Sequence, residues 1–249
     1  ARYRFVDAAS LQDSRIKSAV EARRALIDDK TGNDSVFTLF LALDMDREYF
    51  SEIASEHFFY TPKRTGQTAA GPIPRNGGRG SVEKWLKEFF VLTTYEISCP
   101  VMRDSTLAPD GRTGLVISVL FDYRLAKNAQ ETGWYEEFKI FCEECILDTL
   151  NASIYPGIKD AVLHRFSSTP LTMERYAGTT DGAIVGWAYT NRPVPAESRL
   201  PKILNAIKTQ IPDVLQAGQW TYSPAGLPIS IITGKLAADN VIKSLSKNR

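Results

Sequence analysis

The sequence predicts an α+β fold, in which a mixed, largely antiparallel sheet carries packed helices. The first observation behind this is a pair of apolar runs of strand length, SVFTLFLALD (35–44) and GLVISVLF (114–121). The second is a Pro/Asp/Gly-rich turn that joins the later run to the apolar segment before it, as in an antiparallel hairpin. The third is the irregular order of helical segments, which does not alternate regularly with the strands. With 249 residues, the chain can bury a substantial core.

The N-terminal quarter contains a weak helix signal followed by strong strand signals. Residues 10–28 are mostly polar and predict a weak helix or an extended lead-in. The run 35–44 is almost continuously apolar, which predicts a strand buried on both faces. A short helix is predicted over 46–55 and a short strand over 57–60, before a Gly- and Pro-rich surface loop over 61–80.

The middle of the chain predicts a capped helix, a hairpin and the strongest helix of the sequence. Ser81 stands where an N-cap is expected, directly before the helical pattern WLKEFF. The hairpin pairs EISCPVM (96–102) with LVISVLFDYRL (115–125). Residues 134–150 place Phe138, Phe141 and two cysteines on one helical face.

The C-terminal third predicts short elements joined by polar linkers. Pro is favoured at the first position of a helix and Thr at its N-cap, and both signals recur here. The predicted elements are a helix over 155–166 that starts near Pro156, a helix over 169–178 capped by Thr169, a strand over 183–189, a short buried strand over 214–217, and a last helix opened by Pro228.

Composition excludes several classes of protein. The net charge of +1 gives no basic surplus for nucleic acid, and the apolar runs are far too short to span a membrane. Three cysteines indicate a reducing compartment, and no signal peptide is visible, so we expect a cytoplasmic location. The first residue is Ala1 rather than Met, which is expected of a processed chain or of a piece of a longer one.

Familiar catalytic motifs predict no site. Cys142 and Cys145 form a CEEC motif in the middle of the apolar helix face, so buried core cysteines are the favoured interpretation over zinc or redox chemistry. The glycine-rich segment 71–81 has the spacing of neither a Walker loop nor a dinucleotide loop. Neither His57 nor His164 can be tied to a nucleophile from the sequence. We place His164 near the end of the predicted 155–166 helix, and we expect no metal site.

The stretch AGQWTYSPAGLPISIITGKLAADNVI (217–242) is the strongest candidate binding segment. Gly226 would let a ligand approach the backbone, since it has no Cβ. The N–H groups of Leu227, Ile229 and Ser230 would point out of the helix start, where the dipole favours a negative or electron-rich group. The alternative to a binding site is an ordinary glycine-containing turn before a helix.

This stretch resembles the C-terminal flavin motif of the FAD-dependent amine oxidase-like flavoproteins, specifically the phytoene desaturase, carotenoid isomerase and retinol saturase group. Three earlier blocks resemble the same group in the same order. They are SVFTLFLALD, the hairpin EISCPVMRDSTLAPDGRTGLVISVLFDY, and TPLTMERYAGTTDGAIVGW. Such ordered agreement over roughly residues 35–242 is far more specific than any single motif.

The resemblance implies flavin contacts in the closing segment. Gly218 and Gln219 would lie near the ribityl and phosphate part, and Trp220 with the turn Ser223–Gly226 near the ring. Leu227 and Ile229, on either side of Pro228, would present their N–H groups to the pyrimidine end of the ring. The SPAG turn departs from the run of glycines usual in the group.

The resemblance also implies a domain division and a substrate. Residues 1–200 would form the substrate domain, and 201–249 the C-terminal strand and helix of an FAD-binding domain. An apolar, polyene or isoprenoid substrate would occupy a tunnel between the sheet and the helices packed on it. Arg175 is the polar candidate for substrate contact, with a structural ion pair as the alternative, and Trp187 is a further candidate.

No GxGxxG unit occurs in the chain, although the group holds the FAD diphosphate with one. We therefore expect this chain to bind FAD weakly or not at all, to be inactive alone, and to need an N-terminal dinucleotide-binding segment or a separate chain as its partner. The apolar face of Ile229, Ile231, Ile232 and Leu236 would need cover, for which a homo-oligomer is one solution. Peripheral attachment to a membrane stays open. The alternative function is a non-enzymatic module for an apolar ligand or a partner.

Overall fold

The computed structural model describes residues 6–247. Within that range, five strands form one antiparallel sheet in the spatial order β2-β3-β4-β1-β5. The strands are β1 (Ser35–Leu43), β2 (His57–Tyr60), β3 (Tyr95–Ser98), β4 (Thr113–Phe121) and β5 (Val162–Ser168). The helices are α1 (Ser14–Asp28), α2 (Arg47–Ser51), α3 (Arg79–Leu92), α4 (Tyr123–Glu131), α5 (Tyr135–Asn151), α6 (Pro170–Ala177), α7 (Ile203–Ala206) and α8 (Leu227–Lys247). The α+β prediction is therefore confirmed.

Two long central strands organise the sheet. β1 and β4 pair along their whole length, from Ser35 opposite Phe121 to Leu43 opposite Thr113. Because side chains alternate across a strand, the odd-numbered positions of both strands share one face. These side chains are buried and join α3 and α5 in the main hydrophobic core, which includes Phe37, Leu39, Ile117, Phe121, Phe89, Phe90, Phe138 and Ile146.

The even-numbered positions of β1 and β4 form the second face of the sheet, which is more open. Phe40 and Val116 are half-buried, whereas Leu120 is 51% exposed. The prediction that 35–44 is buried on both faces is therefore wrong for Val36, Phe40 and Ala42, although Thr38 on the same face is buried. The continuous apolar run reflects a second face that is apolar without being covered like the first.

Several predicted boundaries shift because local caps override apolar patterns. Asp122 accepts a hydrogen bond from the N–H of Arg124 and starts α4, so β4 ends at Phe121 rather than at 125. The helix predicted from Ser81 begins at Arg79, and Ser81 donates its hydroxyl to the Gly78 carbonyl instead of capping. Thr169 does cap α6 as predicted, with its side chain accepting from the N–H groups of Leu171 and Thr172.

Three predicted elements of the C-terminal third have a different structure. The helix predicted over 155–166 is a turn region followed by β5, so His164 lies on a strand that pairs with β1. Residues 183–189 contain only an isolated bridge from Trp187 to Gly32, not a strand. Residues 214–217 likewise form one bridge, between Leu215 and Lys208. In the last two segments, hydrogen bonds to loop residues take the place of the β-strand pairing that was expected.

The chain divides into two compact units. One is continuous, residues 35–178, and contains the sheet with α2 to α6. The other combines residues 1–34 with 179–249. The division predicted at residue 200 differs from this one, since the structure groups 179–200 with the C-terminal segment.

The second unit is held by contacts between its two chain segments. Asn33 donates its N–H to the Gly186 carbonyl at 2.9 Å, and Ala188 donates to the Thr31 carbonyl at 3.1 Å. The Asn191 side chain clasps Thr31, accepting from its N–H and donating to its carbonyl. These bonds fix the 182–191 segment against residues 31–34 without regular secondary structure.

Candidate functional site

An apolar cavity of about 230 Å³ lies on the open face of the sheet, within the continuous unit. Its walls are aromatic: Phe40 of β1 and Phe166 of β5 stack with ring centroids 4.6 Å apart and an interplanar angle of 10°. The connection between β3 and β4 folds over the other side and contributes Pro100, Val101 and Leu107. This connection is held by two 3₁₀ turns, Pro100–Met102 and Ser105–Leu107.

Small residues form the floor of the cavity. Ala42 of β1 and Gly114 of β4 are direct cross-strand partners, and both line the cavity. The row beside them carries Phe40, Val116 and Phe166, which are far larger. The space therefore exists because two neighbouring positions of the same face lack bulk, with bulky walls next to them.

One ionisable side chain faces this apolar space. His164 of β5 lies opposite Ala42 in the register, and its ring centroid lies 6.2 Å from that of Phe166. Carboxylates and cationic side chains of Lys or Arg do not occur among the described residues that line the cavity. Such a lining suits an apolar ligand, because a buried charged ligand would lack a partner.

The cavity does not lie where the substrate tunnel is predicted. The prediction places the substrate between the sheet and the helices, but that layer is the close-packed core, where Phe37, Leu39 and Phe138 have no exposed surface. The cavity lies on the opposite face of the same sheet. Sequence reasoning missed Ala42 and Gly114 because their significance depends on the strand register, which places two small residues side by side.

The tail segment forms the second candidate site, in the other unit. Gly226, with φ +147°, precedes α8, and its carbonyl accepts the N–H of Ser230 at 3.0 Å. The N–H of Ser230 is therefore engaged, in contrast to the prediction. Within residues 6–247 no acceptor is found for the N–H groups of Leu227 and Ile229, and the side chain of Leu227 is 75% exposed.

The residues before this helix start are fixed by internal contacts. Gly218 donates its N–H to the Thr233 hydroxyl at 3.0 Å, which ties the segment to α8. The Trp220 carbonyl accepts the indole N–H of Trp187 at 3.0 Å, and the two rings meet edge to face. Ser223 is buried and donates its N–H to the Glu197 carbonyl.

The backbone of Gln219 packs closely against Gly186. A Cβ on Gly186 would lie 2.4 Å from the Gln219 carbonyl oxygen and 2.8 Å from the Ala225 Cβ. The predicted cofactor residues of 218–229 form the segment that leads into α8, together with its first turn. This start fits an electron-rich group, because it offers two N–H donors without acceptors and Gly226 leaves their approach free of a Cβ.

Arg175 and Trp187, the two predicted substrate residues, lie in different units. Arg175 is exposed in the last turn of α6, with its guanidinium 5.7 Å from the ring centroid of Tyr176. Its alternative role as an ion pair has no support among residues 6–247, where no carboxylate oxygen lies within 4.0 Å of it. Trp187 is 4% exposed, so it packs inside its unit.

The three cysteines are buried and form no disulfide with one another. Burial raises the pKa of Cys145 to about 11, and it also raises the pKa of the Cys142 and Cys99 thiols. Their thiolates are therefore scarce near neutral pH, unlike those of a redox motif. The part of the chain that is described holds no group of three or more His, Cys, Asp or Glu side chains suited to a metal ion.

Of the helices within residues 6–247, none combines the length and the apolar character that crossing a bilayer requires.

Known proteins provide a distant match. No family model matches the chain. It is 28% identical over 150 residues to the 4,4'-diapophytoene desaturase (4,4'-diaponeurosporene-forming) of Staphylococcus aureus strain Newman, and equally similar to that of strain MW2. The match covers 59% of this chain and 28% of each relative, so the chain matches less than a third of those proteins. This similarity supports a distant relationship to the phytoene-desaturase-like oxidoreductases.

Proposed function

We propose that this chain is the substrate-side and C-terminal part of an FAD-dependent oxidoreductase that acts on an apolar polyene or isoprenoid. The observation that carries the proposal is the apolar cavity on the open sheet face, in a chain distantly similar to a diapophytoene desaturase. An aromatic wall and a floor without charge suit a hydrocarbon chain, whose binding depends on removing apolar surface from water.

The chain's own residues would bind and orient the substrate. The stacked rings of Phe40 and Phe166 offer a flat apolar surface, and the 100–107 turns line the other side with apolar side chains. His164 is the one polar side chain of the cavity lining, beside the ring of Phe166. We assign no acid or base role to Arg175, which lies outside this lining.

The closing segment would hold the flavin ring. Gly218, Gln219 and Trp220 lead to it, and the start of α8 supplies the N–H groups of Leu227 and Ile229. FAD, when bound, would accept the hydride equivalents, which protein side chains cannot do. The helix N-terminus would stabilise negative charge on a ring held there, because its unpaired N–H groups and the dipole act together.

A flavin titration with matched variants tests this assignment. Leu227→Pro removes one N–H at the first helical position, where proline is tolerated, whereas Leu227→Ala keeps that N–H. We expect FAD to bind the chain weakly, and more tightly when a segment bearing GxGxxG is added in trans. In that mixture Leu227→Pro should weaken FAD binding roughly 5-fold, as the loss of about 1 kcal/mol of hydrogen bonding predicts.

The measurement is quenching of flavin fluorescence together with the perturbed flavin absorbance spectrum. Equal binding by the wild type and by both Leu227 variants would contradict the role of this N–H. A stoichiometric flavin that copurifies with the chain alone would contradict the weak binding. If FAD never binds while apolar ligands do, the chain is the non-enzymatic apolar-ligand module, an alternative supported by a cavity formed entirely within residues 35–178.

A further inference from the structure

We infer that Ala42 and Gly114 determine which ligand end groups the cavity accepts, by setting its depth. This inference rests on the proposed apolar-ligand function and names the selective element of the same site. The ligand class it implies is an apolar chain that inserts one slim end over these two residues.

The volume of the cavity supports insertion of an end rather than of a whole chain. Ordinary pockets for small ligands measure roughly 300–1,000 Å³. This cavity, at about 230 Å³, is smaller than that range. A long polyene therefore fits with one end group inside and the remainder outside.

The sheet register explains where the depth comes from. On this face the row Ala42–Gly114 stands next to the row Phe40–Val116, so the surface drops from bulky to small side chains within one step of the pleat. Any Cβ branch added at position 42 or 114 points into the cavity, because the two positions share its face. Phe40 and Phe166, stacked on each other, flank this space.

The two floor positions tolerate enlargement, which makes the inference testable. Gly114 does not adopt a positive φ, and a Cβ built on it would meet only the Leu41 carbonyl oxygen, at an ordinary 3.6 Å. Ala42 already carries a Cβ and is exposed to the cavity. Ala42→Leu and Gly114→Val are therefore expected to fold and to fill the floor.

Two probe alcohols of equal carbon number separate depth from general affinity. Geranylgeraniol ends in a slim acyclic group, and retinol ends in a substituted ring. We expect the wild-type chain to bind geranylgeraniol, and each filling variant to lower the ratio of Kd for retinol to Kd for geranylgeraniol roughly 10-fold, because the added methyl groups occupy the space that the slim end enters and the ring does not. The ratio cancels any loss of folded protein, which circular dichroism measures in parallel.

The control variant is Leu120→Phe, which adds bulk on the same sheet face outside the cavity lining. It should leave the ratio unchanged. If the ratio is unchanged in Ala42→Leu and Gly114→Val, or moves as much in Leu120→Phe, the floor is not the selective element, while binding by the wild type leaves the proposed function intact. If the wild type binds neither alcohol, the apolar site itself is wrong and both proposals are overturned.

Discussion

At the scale of single residues, Gly186 shows how tightly the segment around Trp187 is constrained. Its φ of +49° is unfavourable for a residue with a side chain, and a Cβ there would collide with the Gln219 carbonyl and with Ala225. Both colliding groups belong to the candidate flavin segment. The conformation of that segment therefore depends on a position outside it that carries no side chain.

We predict that Gly186→Ala destabilises the protein by about 3 kcal/mol, because overpacking adds to backbone strain. Gly178→Ala is the matched control, since Gly178 also has a positive φ, +63°, but a Cβ there meets nothing within 4 Å. Its cost should stay near 1 kcal/mol. Urea denaturation followed by tryptophan fluorescence measures both values, and equal losses would show that strain alone matters.

At the scale of elements, an ionic cluster fastens the edge strand β5 to α5. Glu143, whose side chain is only 8% exposed, accepts from the Ser167 hydroxyl at 2.6 Å and pairs with the Arg165 guanidinium at 3.2 Å. Arg165 also pairs with Glu144. Burial tends to raise the pKa of the Glu144 carboxyl, but the hydrogen bond from Arg165 lowers it, and the net effect is a lowered pKa. β5 carries the Phe166 wall of the cavity, so this cluster positions that wall.

We predict that Glu143→Ala lowers the free energy of unfolding by about 3 kcal/mol, since it removes a buried acceptor shared by two donors. Glu136→Ala, on the same helix, removes an acid that is 74% exposed and paired with Lys139. That control should change stability by less than about 0.5 kcal/mol. Thermal unfolding compares the two, and a small loss in Glu143→Ala would contradict the role of the cluster.

The same strand shows where sequence reasoning reached its limit. The central strands and α5 were predictable, because long apolar runs and a clear helical face leave little choice. β5 was predicted as helix, since its burial follows no period of two and only its pairing with β1 makes it a strand. The tail segment stays a prediction from its own residues and the family resemblance, whereas the cavity floor could be found only from the β1–β4 register.

At the scale of the whole molecule, the continuous unit contains the complete sheet, its core and the cavity. A unit with its own core can fold alone. We predict that residues 35–178, expressed by themselves, fold cooperatively and bind geranylgeraniol within roughly 3-fold of the full chain, because every cavity residue lies in this range. Circular dichroism and ligand titration test this, and an unfolded or non-binding product would contradict it.

The clasp between Thr31 and Asn191 has a consequence for synthesis on the ribosome. Its partners are 160 positions apart in the chain. At translation rates of roughly 5–20 residues per second, the N-terminal segment waits on the order of 10 s before its partner emerges. During that interval the continuous unit can complete its own folding, so the order of synthesis favours folding of residues 35–178 first and formation of the contacts within the second unit afterwards.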